Sequence, residues 1–225
     1  MNALVRQVLK SSGILLSYAV VGTSILAFIY SITHVEIEKN EANARRALLS
    51  ETLIPHSYNN DLVANQFTLA QDPLLGNDGA TSLAWQARMN NIPVAIVLEA
   101  SAPDGYGGKI KLLIGINASG QITGVRVVEH HETPGLGDYI DLAKSKWILG
   151  FDGKSLQNTP DENWQVKKDG GQFDYMTGAT ISPRAVIEAV HHALQYAKIH
   201  RPSLFAASAA ANLTLKQQTK GDIKY

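Results

Sequence analysis

The chain of 225 residues contains no cysteine. That single absence removes disulfide frameworks, thiolate metal sites, iron–sulfur clusters and thiol catalysis. There is no charge bias either: 20 Lys and Arg stand against 20 Asp and Glu. A general nucleic-acid binder needs a basic surface to neutralise phosphates, so no nucleic-acid partner is expected. No G-x-G-x-x-G run follows a strand-like segment, and no β–α–β alternation occurs, which leaves a nicotinamide-binding sheet with little support. Internal repeats are absent. Any redox chemistry must therefore borrow a cofactor that needs no sulfur ligand. What is present is a hydrophobic content of 45% with 18% charged residues, enough for a packed core. The length suits one ordinary domain plus extensions.

The longest apolar run decides the compartment. Residues 13–32, GILLSYAVVGTSILAFIYSI, carry no charge. At about 1.5 Å per residue such a run spans roughly 30 Å, the hydrocarbon thickness of a bilayer. Arg6 and Lys10 precede it, whereas Glu36, Glu38 and Glu41 follow with only Lys39 among them. The positive-inside rule then predicts a cytoplasmic N-terminus (residues 1–12), a single-pass anchor (13–32) and everything later outside. A cleaved signal peptide is the rival. Its small-x-small site, Ala42-Asn43-Ala44, lies about ten residues beyond the run, whereas cleavage normally abuts it.

Residues 33–55 read as an amphipathic stalk helix, ended by Ile54-Pro55-His56, since proline disfavours helix in the residue before it. Residues 56–90 are mixed, with turn signals at Asn59-Asn60 and Gly76-Asn77-Asp78-Gly79. Then β-structure follows. Val94-Ala95-Ile96-Val97-Leu98 is a short strand and residues 103–108 a loop. Ile110, Leu112, Ile114 and Ile116 alternate along a second strand. Asn117-Ala118-Ser119-Gly120 is a turn, and residues 121–129 form the return strand. A helix is expected over residues 138–147, capped near Asp138, and a short strand over 164–168. The last helix spans 183–199, striped by Val186, Val190, Leu194 and Ala197, and Arg201-Pro202 stops it. Residues 201–225 read as a flexible tail. The fold class is α+β: one antiparallel β-meander packed by helices, over residues 56–200, behind one transmembrane helix.

Thr177-Gly178-Ala179-Thr180-Ile181-Ser182-Pro183-Arg184 is the chemically suggestive run. Ser182 suits an N-cap and Pro183 the first helical position. Thr180 then lies just before a helix N-terminus, where orphan N–H groups and the positive end of the dipole favour a phosphate. Arg184 could assist, and Gly178 and Ala179 leave room for a bulky group. On residue chemistry alone, an ordinary capped helix is the favoured account.

Asp174-Tyr175-Met176-Thr177-Gly178-Ala179-Thr180 nevertheless resembles the flavinylation motif of a family of FMN-binding domains. That family comprises the G subunits of Rnf (Rsx) ion-translocating electron transport complexes and the C subunits of sodium-pumping NADH:quinone reductases. Further agreement with the Rnf type lies in Glu99-Ala100-Ser101-Ala102-Pro103-Asp104-Gly105-Tyr106, in His130-His131-Glu132-Thr133-Pro134-Gly135-Leu136-Gly137 and in Val166-Lys167-Lys168-Asp169-Gly170-Gly171. Together these stretches and the anchor cover residues 1–200. The resemblance implies FMN esterified through its phosphate to Thr180, with Thr177, Gly178, Ala179 and Ser182 around it. It implies that Glu132, Thr133, Pro134, Gly135, Leu136 and Gly137 pack by the flavin, and that a flavin transferase recognises Asp174. It further implies partner subunits in a bacterial inner-membrane complex, an FMN domain in the periplasm, and electron transfer without a general acid, base or nucleophile.

Bland readings stand beside these. Residues 132–137 serve equally as a plain strand-to-helix turn, and Asp174 as a surface carboxylate. His130, His131 and Glu132 are metal-ligand types, but three adjacent residues of an extended strand cannot face one ion, and His191-His192 lacks an i, i+4 partner, so no metal is expected. Lys167 and Lys168 suit either a phosphate, a reduced flavin or open solvent. Trp85, Trp147 and Trp164 suit the core better than flavin stacking. Two alternatives remain: a C-subunit-like component of a sodium-pumping reductase, and a flavin-free periplasmic assembly or scaffold subunit.

Overall fold

A computed structural model describes residues 3–76 and 81–206. The chain divides between Arg45 and Arg46 into two compact units. The first is helical. Helix α1 runs unbroken over Ala3–Glu51, and Lys10–His34 within it is long and apolar enough to cross a membrane. Polar side chains in that stretch bond back to their own helix. The hydroxyls of Ser17 and Thr23 donate to the Ile14 and Ala19 carbonyls at 2.7 Å each. They are thus satisfied without water, as hydrocarbon surroundings require.

The second unit takes in the last turns of α1, so residues 46–55 belong with the sheet rather than with a separate stalk. Five strands, β1 (Gln66–Leu69), β2 (Ser82–Met89), β3 (Ile92–Gly105), β4 (Gly108–Asn117) and β5 (Ile122–Glu129), pair in chain order, each antiparallel to the next. The expected meander is therefore present, with two further strands at its start. Strand β2 escapes a period-2 reading because Ala84, Trp85, Gln86 and Ala87 are all buried. Gln86 looks solvent-facing in sequence, yet its Nε2 donates to the Leu204 carbonyl at 2.8 Å.

Register sorts the two faces. Phe67, Ala84, Leu98, Ile114 and Val125 are cross-strand neighbours on one face. Helix α2 (Ile181–Ile199) packs there through Val186, Ile187, Val190 and Leu194, in the main core. The opposite row is Gln66, Trp85, Val97, Gly115 and Gly124. Leu49 and Leu53 join Trp85, Val97 and Leu113 in a smaller core on that side. A Cβ on Gly115 would stand 2.1 Å from the Thr52 carbonyl oxygen, so the paired glycines make a notch for the chain leaving α1. Thr123 Oγ1 donates to the same carbonyl at 2.6 Å, and Arg126 pairs with Glu51 at 3.0 Å.

Four local expectations are corrected. Strand β3 continues into the supposed loop as far as Gly105, with a register shift at Pro103-Asp104 before Gly105 pairs with Gly108, which leaves only Tyr106-Gly107 as the turn. A bulge lets proline sit in a strand without breaking it. Residues 138–147 are not an α-helix: Gly137–Ile140 and Trp147–Phe151 are separate 3-10 turns. The Asp138 carboxylate reaches back to the Gly135 N–H at 2.8 Å instead of capping forward, and Asp141 accepts from the Ala143 N–H at 3.0 Å. Such local bonds compete with a helical ladder. Residues 164–168 contribute only a bridge from Val166 to Phe173, between 3-10 turns at Asp161–Asn163 and Lys167–Asp169. Arg201-Pro202 ends α2 but opens a second short helix, α3 (Arg201–Leu204), because proline is tolerated in a first turn. The rest of the expected tail, from residue 207, lies outside the described residues, as do Asn77-Asp78-Gly79 of the expected turn.

Candidate functional site

A cavity of about 620 Å³ opens at the N-terminus of α2. Its walls come from two loops, Glu132, Thr133, Leu136 and Gly137 on one side and Thr177, Gly178, Ala179, Thr180, Ile181 and Ser182 on the other, with Tyr106, Lys168 and Tyr175 completing it. The volume is that of a cofactor site, which runs from about 300 to 1,000 Å³.

Both loops turn alike. In Thr133-Pro134-Gly135-Leu136 the Leu136 N–H bonds the Thr133 carbonyl at 3.1 Å, and Gly135 has φ +77°. In Met176-Thr177-Gly178-Ala179 the Ala179 N–H bonds the Met176 carbonyl at 3.0 Å, and Gly178 has φ +89°. Glycine at the third position, and proline before it in the first loop, are what a type II turn requires. The second turn is clamped from beneath. The Tyr139 hydroxyl donates to the Ala179 carbonyl and accepts from the Met176 N–H, both at 3.2 Å. Burial raises the Tyr139 phenol above its ordinary pKa, and the Met176 N–H opposes that shift. Trp147 Nε1 donates to the Asp174 carbonyl at 2.7 Å, so this half-buried indole supports the motif from below, while Trp85 and Trp164 are core residues.

Glu132 ties the loops together. It is only 5% exposed, and one oxygen accepts from the Ser182 hydroxyl at 2.6 Å, the other from the Gly107 N–H at 3.1 Å. Glycine makes the contact possible: a Cβ on Gly137 would lie 2.6 Å from that carboxylate, and one on Gly105 2.8 Å. The β3–β4 turn carrying Tyr106, the 132–137 loop and the start of α2 thus share one buried acid.

This overturns two details of the motif reading. Ser182 is not the N-cap, because its hydroxyl is given to Glu132; α2 begins at Ile181 and Thr180 takes the N-cap position. Thr180 makes no side-chain cap bond, so its hydroxyl is left to the cavity. Arg184 is not free for a phosphate. It forms a two-pronged pair with Asp169 at 2.7 and 2.9 Å, which holds that carboxyl below its usual range and raises the guanidinium.

Most of the residues singled out in sequence converge on the cavity. Pro134 and Gly135 do not line it; they form the outer bend of their loop. Asp174 also lies off the wall, paired with Lys167 at 2.5 Å. Tyr106, Tyr175 and Ile181 were not anticipated. Tyr106 is 70% exposed on its turn, an aromatic at a Gly-Tyr-Gly-Gly tip whose only sequence signal is that placement.

With a cavity at a helix N-terminus, lined by two tyrosines, the donors and space fit a phosphate-bearing aromatic cofactor such as FMN. Comparison with known proteins agrees. Residues 105–195 match the FMN-binding domain family, and residues 1–52 match the RnfG N-terminal region. The G subunit of the ion-translocating oxidoreductase complex of Pseudomonas aeruginosa is 47% identical over 206 residues, covering 92% of this chain and 96% of that protein. The corresponding G subunit of Vibrio cholerae is 43% identical over 197 residues, or 87% and 93% of the two chains. That of Pseudoalteromonas atlantica is 38% identical over 214 residues, or 95% and 99%. On this similarity along nearly its whole length, the chain belongs to the family of G subunits of ion-translocating oxidoreductase complexes.

Proposed function

We propose that this chain is the electron-carrying subunit of an ion-translocating oxidoreductase complex, holding FMN esterified through its phosphate to Thr180. The observation that carries the reading is the position of Thr180: it lines the cavity, its side chain makes no capping bond, and it stands at the N-terminus of a 19-residue helix. The first N–H groups of α2 lack intrahelical acceptors, so they and the helix dipole stabilise a phosphodiester there. Thr177 lines the same cavity but belongs to the Met176–Ala179 turn, three residues before the N-cap.

When bound, FMN supplies one- and two-electron transfer. The protein supplies position: Tyr139 and Trp147 hold the motif, Glu132 couples the two loops, and Tyr106, Leu136 and Tyr175 offer apolar surface to a flat ring. Residues 13–32 anchor the chain in a bacterial inner membrane with the N-terminus cytoplasmic and the domain of residues 56–200 periplasmic. A dissociable flavin would be lost from that compartment, so an ester bond is useful. A flavin transferase makes the bond and reads Asp174, and the neighbouring subunits of the complex deliver and remove electrons. The N-terminal match to the RnfG region supports an Rnf-type G subunit over a C-subunit-like reductase component.

The test is flavin fluorescence in a denaturing gel. Chain produced with an active flavin transferase is expected to fluoresce after boiling in detergent, Thr180→Val to be dark, and Thr177→Val to stay bright. A dark wild-type band beside a flavinylated control protein supports the flavin-free scaffold instead. A bright Thr180→Val band with a dark Thr177→Val band moves the bond to Thr177.

A further inference from the structure

The 3-10 turn Lys167–Asp169 holds three consecutive charges in fixed places. The Lys167 N–H donates to the Phe173 carbonyl at 2.7 Å and the Asp169 N–H to the carbonyl of fully buried Val166 at 2.8 Å. Gly170 closes the turn at φ +92°. At Gly171 a Cβ would stand 2.0 Å from the Gln165 carbonyl oxygen, so the chain packs closely on Gln165 there. The two outer charges are engaged, Lys167 with Asp174 and Asp169 with Arg184. Lys168, between them, lines the cavity and makes no ion pair with the described residues. Among the described residues it is the one basic side chain in the wall. The one carboxylate there, Glu132, turns both oxygens to Ser182 and Gly107.

We propose that Lys168 raises the reduction potential of the flavin by stabilising the negative charge that its ring system gains on reduction. The inference rests on the FMN reading above and adds a role for one residue. The balance is two electrons, delivered one at a time by two successive oxidations of a one-electron carrier of the complex, and one proton from water, leaving one net negative charge on the ring. An ammonium at the cavity wall lowers the energy of that anion and leaves the neutral oxidised ring untouched, so the equilibrium moves toward reduction. The phosphate carries the same charge in both redox states. A lysine directed at it changes loading and not potential.

The experiment uses the full chain, co-produced with a flavin transferase and purified in detergent as wild type, K168M and K168R. Covalent flavin is read first in a denaturing gel, and each chain is then titrated with dithionite against indicator dyes at several pH values. K168M is expected to load normally and to lose about tenfold in its two-electron equilibrium constant, which is about 30 mV. The pH at which uptake changes from two protons to one is expected to rise by about one unit, the same tenfold read as a pKa. K168R stays near wild type. Loaded K168M with an unchanged potential and pH break overturns the proposal. So does K168M that fails to load while K168R loads, since the ammonium then serves the phosphate or its attachment. A dark band for all three chains overturns the FMN reading itself, an outcome distinct from the other two.

Discussion

Under α2 the sheet presents Phe67, Ala84, Leu98, Ile114 and Val125, side chains that meet side chains of the helix. On the reverse, the same strands present Gln66, Trp85, Val97, Gly115 and Gly124, and two of those five have no side chain at all. There the Thr52 carbonyl lies directly on the strand backbone. Side-chain packing can relax around a small change, but backbone resting on backbone cannot. The α2 face ends at the cavity and is closed by a polar latch between Glu132 and Ser182. The reverse face fastens the end of α1 to the sheet, where the Thr123 hydroxyl donates to the Thr52 carbonyl. Stability and cofactor binding are thus expected to fail separately.

The largest effect is expected at the notch. Gly115→Val places carbon where only 2.1 Å separates an ideal Cβ from the Thr52 carbonyl oxygen, so either β4 or the end of α1 must shift. Overpacking of this kind costs about 3 kcal/mol. The thermal midpoint of the full chain in detergent should fall markedly, while the chain that remains folded should still take up flavin at the attachment proposed for Thr180. An unchanged midpoint would erase the difference between the faces, and a normal midpoint with lost flavin would invert it.

Glu132→Ala tests the opposite side. It leaves the Ser182 hydroxyl buried without its acceptor and removes the acceptor of the Gly107 N–H, at a cost of about 2 kcal/mol. Its larger consequence is local: the two cavity walls lose their connection, and covalent flavin per chain is expected to fall several-fold. Glu132→Gln keeps one accepting oxygen and should load between the two. If Glu132→Ala loads fully with a wild-type midpoint, the latch holds nothing.

The legibility of these parts in sequence follows their chemistry. Strand β4 shows because Ile110, Leu112, Ile114 and Ile116 recur at every second position, β3 because Val94-Ala95-Ile96-Val97-Leu98 is an unbroken apolar run, and β5 because it returns from the Asn117-Ala118-Ser119-Gly120 turn. Strand β2 does not, since Ala87 and Gln86 are buried alike and period 2 disappears. The two glycine turns of the cavity can be read from Pro134-Gly135 and Thr177-Gly178, because positive φ restricts residue choice. The start of α2 is misread by Ser182-Pro183, which imitates a cap. Only the distant Glu132 explains why that serine points elsewhere, and no local pattern carries a contact between residues fifty apart in the chain. The same holds for Arg184, a free cation in sequence and a partner of Asp169 in the fold. The notch at Gly115 and Gly124 is silent for the same reason: each glycine alone reads as a weak point in a strand.

The smallest effect lies in alkaline solution, where buried phenols report on the two faces. On the α2 side burial, with the Asp72 carboxylate second, pushes the Tyr196 phenol up to about 12. On the reverse side burial also raises Tyr58, which packs at the edge of the smaller core. An unfolded chain releases a tyrosine proton near pH 10. Between pH 10 and about 12 the unfolded form has therefore lost the Tyr196 proton while the folded form keeps it. Stability falls with pH wherever the unfolded state binds fewer protons. The contribution is fully present below pH 10 and lost as pH rises through the folded-state value. Tyr196→Phe cannot titrate, so its thermal midpoint should decline less steeply than that of the wild type across this interval. Tyr58→Phe should flatten the decline to a smaller degree, since that phenol is shifted less. Parallel declines for wild type and Tyr196→Phe would show that the phenol keeps its water on folding, and would leave the side-chain packing of the α2 face looser than the backbone contact on the reverse.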